Sequence, residues 1–215
     1  MTRIKVCGLM NRSDLSSALS GGVDAVGFVV EIDGSRHRIS SGEAADLIDL
    51  VPVFTKSVAV IAPDSVDDAL RLAKITNADI LQVHGSLSPD DMAKLRSRVH
   101  QNHRKLVAAV AAGSKDFPGF AHSADALLID TMVDGKLGGT GAVHDWNRSA
   151  EIVRTLNIPV ILAGGLNPGN VAEAVMKVRP YAVDVSSGTE TGGKKDLDKI
   201  RSFVNEVRSC SQQQQ

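Results

Sequence analysis

The sequence predicts a single-domain α/β fold, a (β/α)8 or TIM barrel with eight parallel strands. Eight short runs rich in Val, Ile and Ala are each followed by an amphipathic stretch, and about 210 residues suffice for eight such units. The runs are continuously apolar, which is typical of parallel strands buried on both faces. No linker interrupts the repeat, so we expect one barrel domain over residues 1–209 and a disordered polar tail over residues 210–215.

The eight units follow one another in order, each as a strand run and a helical stretch. The first four are RIKVCG with NRSDLSSALSGG, DAVGFVV with SSGEAADLIDLV, KSVAVIA with SVDDALRLAKIT, and ILQVHG with SPDDMAKLRSRV. The last four are KLVAAVAA with a weaker pattern around SKDFPGFAHSA, DALLID with DWNRSAEIVRTL after a long loop, IPVILAGG with NPGNVAEAVMKV, and YAVDVSSG with KDLDKIRSFVNEV. Six residues have side chains suited to capping a helix N-terminus: Asn11, Ser41, Ser65, Ser88, Asp145 and Asn167.

A doubly wound open sheet is the main alternative fold. Such a sheet usually has fewer strands, and its dinucleotide-binding form carries a G-x-G-x-x-G turn after the first strand. The corresponding segment here, CGLMNR, does not match that turn. The barrel is therefore the better prediction.

Composition narrows the class of protein. A formal net charge of -1 and 3% aromatic residues favour neither nucleic acid nor an anionic membrane as a partner. The two cysteines, Cys7 and Cys210, lie at opposite ends of the chain and suggest neither a zinc site nor a disulfide framework. The start MTRIKVC lacks the apolar core of a signal peptide, so we expect a cytoplasmic protein. Cys210 is expected to be an incidental exposed thiol in the tail.

Several polar side chains occupy strand positions that face the barrel interior. Every second strand residue points inward, and the polar residues of that set are Lys5, Cys7, Gln82, His84, Asp130, Asp184 and Ser186. Burying them costs free energy unless they are paired or used, so we expect a site at the C-terminal mouth, where barrel enzymes place theirs. Lys5 and Asp184 are expected to form an ion pair beneath it.

Three of these residues have a structural as well as a catalytic interpretation. Cys7 is either core filling or a base or nucleophile whose thiol pKa is lowered by Lys5. His84 is either a hydrogen-bonded structural histidine or a catalytic one. Asp130, which ends DALLID, either braces the following loop or acts as a general acid.

Glycines and arginines in the loops suggest contacts to anions. Gly164, Gly165 and Gly188 follow the seventh and eighth strands, where barrel loops bind phosphate through backbone N–H groups, and Thr189 would open a short helix there. Simple turn geometry is the alternative. In the second loop, Arg36, His37 and Arg38 form either a site for a second anion, such as a carboxylate, or a solvated basic loop.

Together these residues resemble the phosphoribosylanthranilate isomerase family over essentially the whole chain. The matching segments are KVCGLMN, DAVGFV, SRHRIS, LQVHG, LLIDT, GGTGAVHDW, LAGGLNPGNV and PYAVDVSSGTET, followed by GKKD. The resemblance implies a (β/α)8 fold and an Amadori rearrangement in tryptophan biosynthesis, without metal or organic cofactor. It also implies a phosphorylated small-molecule substrate, and it leaves open whether the chain is a monomer or a homodimer.

The resemblance also implies roles for individual residues. Cys7 corresponds to the general base and Asp130 to the general acid, and we expect Lys5 to stabilise the thiolate. The phosphate-binding positions correspond to Gly165 and Gly188, with Gly164 and Thr189 alongside and Gly141 lining the sixth loop. Gln82, His84 and Asp184 would support the site.

Two positions depart from the family pattern. Met10 stands where threonine is usual. His37 stands where an arginine usually contacts the anthranilate carboxylate. Its neighbours Arg36 and Arg38 are the candidates to replace that arginine, and Arg36 is preferred.

Other functions fit less well. A metal-dependent epimerase of this fold would need His and Asp ligands at several strand ends, where only His84 qualifies. Indole-glycerol-phosphate synthase chemistry would need a lysine and a glutamate inside the barrel, and only Lys5 is available. An inactive binding module would not need both Cys7 and Asp130. A related aminoaldose of histidine biosynthesis, with two phosphates, would favour an aspartate base and a second phosphate site.

Overall fold

Eight parallel strands close into a barrel in the computed structural model, which describes residues 1–85, 87–133, 136–137 and 145–212. Each strand pairs with its neighbours in chain order, and β1 pairs with both β2 and β8, which closes the ring. The strands are β1 (Arg3–Cys7), β2 (Ala25–Val30), β3 (Lys56–Ile61), β4 (Ile80–Val83), β5 (Lys105–Ala111), β6 (Ala126–Asp130), β7 (Val160–Leu162) and β8 (Ala182–Val185). The predicted barrel is confirmed.

A helix follows each strand and packs on the outside of the barrel. The helices are α1 (Arg12–Ser20), α2 (Ser41–Ile48), α3 (Val66–Thr76), α4 (Pro89–His100), α5 (Phe117–Ser123), α6 (Trp146–Thr155), α7 (Val171–Val178) and α8 (Leu197–Gln212). Short elements extend the loops: Arg38–Ile39 pairs with β2, a 3-10 turn spans Ser187–Thr189, and hairpins join Met132–Val133 to Lys136–Leu137 and Glu190–Thr191 to Lys194–Lys195. Among the described residues, no helix is long and apolar enough to cross a membrane.

Four of the predicted N-caps are confirmed and two are wrong. The side chains of Asn11, Ser65, Ser88 and Asp145 accept backbone N–H groups of the helices they begin.

Helices α2 and α7 begin differently from the prediction. Ser40 caps α2 in a reciprocal capping box with Glu43, so Ser41 is already helical. Asn170, and not Asn167, immediately precedes α7. The Asn167 side chain accepts the Gly169 N–H at 2.8 Å and closes a turn before the helix.

Most of the hydrophobic core lies between the helices and the outer faces of the strands. Inside the barrel, two smaller apolar clusters fill the space around the polar residues. One includes Val107 and Leu128, and the other packs Val58 and Val60 against Cys7. The interior is therefore a packed core, as in other barrels of this kind, and its polar groups are held rigidly.

The end of the chain differs from the prediction. Helix α8 continues to Gln212, and Cys210 is buried with its Sγ 3.7 Å from the Ala172 carbonyl oxygen. Cys210 continues the apolar face of Phe203 and Val207 at helical spacing, which explains why it packs inward. The expected exposed thiol is therefore wrong. Residues 213–215 of the predicted tail lie outside the described part of the chain.

Candidate active site

The predicted ion pair beneath the mouth is confirmed. Lys5 Nζ lies 2.7 Å from Asp184 Oδ2, and both side chains are buried. Their strands pair directly, with Lys5 opposite Asp184 in the β1–β8 register. The second carboxylate oxygen, Asp184 Oδ1, is buried and accepts no hydrogen bond from the described residues.

Cys7 ends β1 next to this ion pair. A methyl group added to Gly27 would lie 2.9 Å from Cys7 Sγ and 3.0 Å from Lys5 Nζ, so the glycine leaves the thiol and the ammonium room beside each other. Burial raises the pKa of Cys7 and outweighs the opposing effect of Lys5. Lys5 does lower the pKa of Cys7, but burial, with a smaller effect of the Asp184 charge, raises it by more, so the expected net lowering of the thiol pKa is wrong.

Asp130 ends β6 at the same mouth and is 6% exposed. Its Oδ1 accepts the Thr131 N–H at 2.7 Å. Burial, reinforced by the nearby charge of Asp184, raises the pKa of Asp130 to about 6 in spite of that hydrogen bond and of Lys5. A fraction of this carboxyl is therefore protonated near neutral pH, before any substrate arrives.

Gly164 lies against Thr131 and the Asp130 carboxyl. It has a φ of +86°, and a methyl group there would collide with the Thr131 side chain and lie 2.9 Å from Asp130 Oδ1. Only glycine combines this backbone conformation with so close an approach. Gly164 therefore packs directly against the Asp130 carboxyl.

Gln82 and His84, the residues predicted to support the site, lie on β4 and just beyond it. Gln82 Nε2 and His84 Nε2 are 2.8 Å apart, and Gln82 Oε1 is buried without a partner among the described residues. Burial, with a smaller effect of Lys5, lowers the pKa of His84 to about 4. The imidazole is therefore neutral at physiological pH and hydrogen-bonded, which matches the structural interpretation.

The loops after β7 and β8 pack directly on each other. A methyl group on Gly188 would collide with the Leu166 carbonyl oxygen, so the glycine allows the two loops to touch. The N–H groups of Gly165 and Gly188 donate to no acceptor within the described residues, which leaves them available to an anion. Gly141, the predicted contribution of the sixth loop, lies outside the described residues.

Thr189 has a different place from the one predicted. It ends the 3-10 turn instead of opening it, and it is fully buried. Its N–H and its hydroxyl both donate to the Ser186 carbonyl oxygen, at 3.3 and 3.0 Å. Thr189 therefore stabilises the turn that presents Gly188.

The basic residues of the second loop separate into two groups. Arg36 and His37 both contact Glu190, at 2.6 and 2.8 Å, whereas Arg38 lies 3.4 Å from Asp33 on the exposed side of the loop. The structure thus brings Arg36 and His37 together over the mouth and leaves Arg38 apart.

Two buried charged residues at the mouth were missed by sequence reasoning. Lys195 Nζ lies 2.6 Å from Glu190 Oε1, and their side chains are 1% and 4% exposed. Both lie in segments that match the family. Neither lies on a barrel strand, so strand parity gives no sign that its side chain is buried. Among the described residues, no group of three or more His, Cys, Asp or Glu side chains is arranged to hold a metal ion.

Comparisons with known proteins agree with this geometry. The family model described as N-(5'phosphoribosyl)anthranilate (PRA) isomerase matches residues 4–206. An N-(5'-phosphoribosyl)anthranilate isomerase of Methanothrix thermoacetophila is 53% identical over 210 residues, which cover 98% of this chain and 100% of the relative.

Solved structures agree as well. A dimeric phosphoribosylanthranilate isomerase of Thermotoga maritima, in a structure of its generated monomers, superimposes with a TM-score of 0.80 at 29% identity, covering 97% of this chain and 100% of the other. A phosphoribosylanthranilate isomerase in complex with reduced 1-(o-carboxyphenylamino)-1-deoxyribulose 5-phosphate superimposes with a TM-score of 0.79 at 30% identity, with the same coverage.

Proposed function

The chain belongs to the N-(5'-phosphoribosyl)anthranilate isomerase family, and we propose that Asp130 and Cys7 catalyse its reaction as general acid and general base. The chain is an isomerase of tryptophan biosynthesis, and it converts N-(5'-phosphoribosyl)anthranilate to 1-(2-carboxyphenylamino)-1-deoxyribulose 5-phosphate. The observation that carries the assignment is Asp130, a buried carboxyl with its pKa raised to about 6 at the same barrel mouth as the Cys7 thiol.

The first step opens the sugar ring. The N–H groups of Gly165 and Gly188 bind the phosphate and orient the ribose. Protonated Asp130 donates its proton to the ring oxygen, the bond from that oxygen to the anomeric carbon breaks, and the anthranilate nitrogen, which keeps its own proton, supplies the electron pair that forms a protonated imine.

The second step moves a proton from carbon. The Cys7 thiolate removes the proton from the sugar carbon next to the imine, which gives an enolamine, and tautomerisation gives the ketone. The Lys5 ammonium beside Cys7 favours the negative thiolate at the moment it is needed. At the end of this sequence Asp130 is a carboxylate and Cys7 a thiol.

The productive enzyme form is therefore a minority of the population. The pKa of Asp130 is about 6, while burial raises that of Cys7 above its ordinary value. Between these two values most molecules carry the carboxylate and the thiol, which is the reverse of what the first step requires. One proton must return from Cys7 to Asp130 before each turnover.

Turnover of phosphoribosylanthranilate, followed as loss of its fluorescence, tests the assignment. We expect Cys7→Ala and Asp130→Ala each to lower kcat by about 10²–10⁴-fold, the contribution typical of a positioned acid or base. An active wild type with near-normal kcat in both variants would show that other residues carry the chemistry. Binding of substrate without turnover by the wild type would instead indicate a binding module.

We also propose a domain organisation and a cellular compartment for the chain. The barrel forms a single catalytic domain. A biosynthetic enzyme with two unpaired cysteines suits the cytoplasm. The Thermotoga maritima relative is described as dimeric, and light scattering of the purified chain distinguishes a homodimer from a monomer.

A further inference from the structure

Glu190 is a buried carboxylate at the mouth that the mechanism does not use. It begins the hairpin after β8, and its side chain is 4% exposed. Its oxygens lie 2.6 Å from Arg36 Nη2, 2.8 Å from His37 Nε2 and 2.6 Å from Lys195 Nζ. A buried charge is costly unless it is fully partnered, and two of these three partners come from the second loop, over 150 residues away in the chain.

The hairpin is a rigid support for this carboxylate. Lys195 Nζ also donates to the Ser186 carbonyl oxygen at 3.1 Å, and Lys199 Nζ donates to the main-chain oxygen of Glu190 at 2.7 Å. Both the side chain and the backbone of Glu190 are therefore fixed from β8 and α8. The second loop, by contrast, is held here through Arg36 and His37.

The Glu190 cluster, which consists of Glu190, Arg36, His37 and Lys195, contacts the backbone just after β1. Gly8 follows Cys7 with a φ of +77°, and a methyl group there would lie 2.9 Å from both the His37 Cγ and the Ser186 Oγ. The His37 ring therefore lies on the backbone next to the general base.

The cluster leaves a positive charge facing the mouth. Burial and the nearby cations Lys195 and Arg36 outweigh Glu190 and lower the pKa of His37, so its neutral ring donates Nε2–H to Glu190. Two cations then face one carboxylate. The Arg36 side chain is 55% exposed and binds Glu190 through Nη2, so the rest of its planar fork remains open to a second carboxylate.

We propose that Glu190 is a positioning residue that holds Arg36 for the carboxylate of the substrate, with His37 fixing the second loop beside it, and so determines the preference for a carboxylated aromatic group. This inference rests on the proposed function, since it assumes a substrate with that group. Without the anchor, Arg36 would have to lose its side-chain freedom at each binding event, and affinity for the carboxylate would fall.

Two ligands that differ only in the carboxylate separate this role from a general structural one. The first is reduced 1-(o-carboxyphenylamino)-1-deoxyribulose 5-phosphate, the ligand of the solved relative. The second is its counterpart made from aniline, which keeps the phosphate, the sugar chain and the ring. Calorimetry gives both Kd values for the wild type and for each variant.

Three substitutions complete the design. Glu190→Gln removes the charge. Glu190→Asp keeps a charge beside Lys195, which protects the fold, but shortens the reach to Arg36 and His37. Glu31→Gln is the matched control, because Glu31 also pairs with an arginine, Arg71, at 2.9 Å, on the outer side of the same loop.

We expect Glu190→Gln and Glu190→Asp to weaken the carboxylated ligand about tenfold, as for coupled neighbours, and the aniline ligand by less than about twofold. Arg36→Ala should then cost little more in the Glu190→Gln background, and Glu31→Gln should change neither Kd. Equal weakening of both ligands would overturn the proposal in favour of a structural role. Unchanged Kd values for both ligands would overturn it as well. Absence of turnover by the wild type would count against the proposed function instead.

Discussion

Burial of the Asp130 carboxyl raises its pKa, which suits an acid catalyst but lowers the free energy of unfolding. Its ordinary pKa in an unfolded chain is about 3.9, whereas burial raises it to about 6 in the folded protein. Between these values the folded state binds more protons than the unfolded state, so the free energy of unfolding falls as the pH rises. The loss is complete above pH 6 and is absent below pH 4.

Asp130→Asn should therefore stabilise the protein while it abolishes activity. We expect a gain of about 2 kcal/mol at pH 8, because two pKa units correspond to about 3 kcal/mol and the amide retains part of the burial cost. Urea denaturation at pH 8 and at pH 4 measures it, and the gain should vanish at pH 4. Asp33→Asn, at a side chain that is 98% exposed, is the control. An equal gain at both pH values would contradict the explanation.

At the scale of elements, three aspartates join neighbouring strands at the bottom of the barrel. Each stands immediately before an even-numbered strand and accepts the N–H of the second residue of the strand before it: Asp24 from Ile4 at 2.9 Å, Asp79 from Ser57 at 2.9 Å, and Asp125 from Leu106 at 2.8 Å. Each also lies within 4 Å of the basic residue that begins that strand: Arg3, Lys56 or Lys105. The arrangement occurs before β2, β4 and β6 but not before β8, which follows Tyr181, and it provides hydrogen-bond partners for groups at the strand ends.

Asp79→Ala should destabilise the protein by about 2 kcal/mol, the cost of leaving buried partners unsatisfied, without changing kcat. Burial alone would raise the pKa of Asp79, but hydrogen bonds from Ser57 and Lys56 lower it. The stabilisation is therefore present above pH 4 and is lost as the pH falls further.

Urea denaturation from pH 7 down to pH 3 measures this contribution. Asp64→Ala, at an exposed position in the loop before α3, is the control. A cost that does not decrease towards pH 3 would show that packing, and not the charged hydrogen bonds, is responsible.

At the scale of the whole molecule, the aspartates that join the strands and the proposed catalytic groups lie at opposite ends of the barrel. The aspartates and their basic partners lie at the amino ends of the strands. Cys7 and Asp130 lie at the carboxyl ends, above a packed interior. Substitutions at the bottom should therefore change stability, and substitutions at the mouth should change the pH dependence of the reaction.

The pH profile of kcat/KM should rise up to about pH 6, stay level, and fall only above the pKa of the Cys7 thiol, which burial raises above its ordinary value. Because the active form needs protonated Asp130 and ionised Cys7, the product of the two fractions is constant between their pKa values. The ultraviolet absorbance of the thiolate, followed in a Cys210→Ser background, gives the Cys7 pKa independently. A thiolate already present at pH 7 would contradict the raised pKa of Cys7 and the level region of the profile, but not the role of Cys7 as general base.

Residue positions that depend on local alternation along a strand could be predicted from the sequence, whereas those that depend on contacts formed in the folded chain could not. Strand parity placed Lys5 opposite Asp184 correctly, because alternation along a strand is a local property. Thr189 was misplaced because its donors turn back to Ser186, and the cap at Asn167 was wrong for a similar reason. The pKa of Cys7 was expected in the wrong direction, because depth of burial depends on the whole barrel.

By itself the sequence determined the closed barrel, the inward set of polar side chains and the family, since periodicity and short motifs act within each unit. Only the tertiary structure decided that Glu190 meets Arg36 and His37, and that Asp130 is buried deeply enough to raise its pKa to about 6. The physical reason is that electrostatic energies depend on distance and burial in space, which closing the ring brings about between residues far apart in the chain.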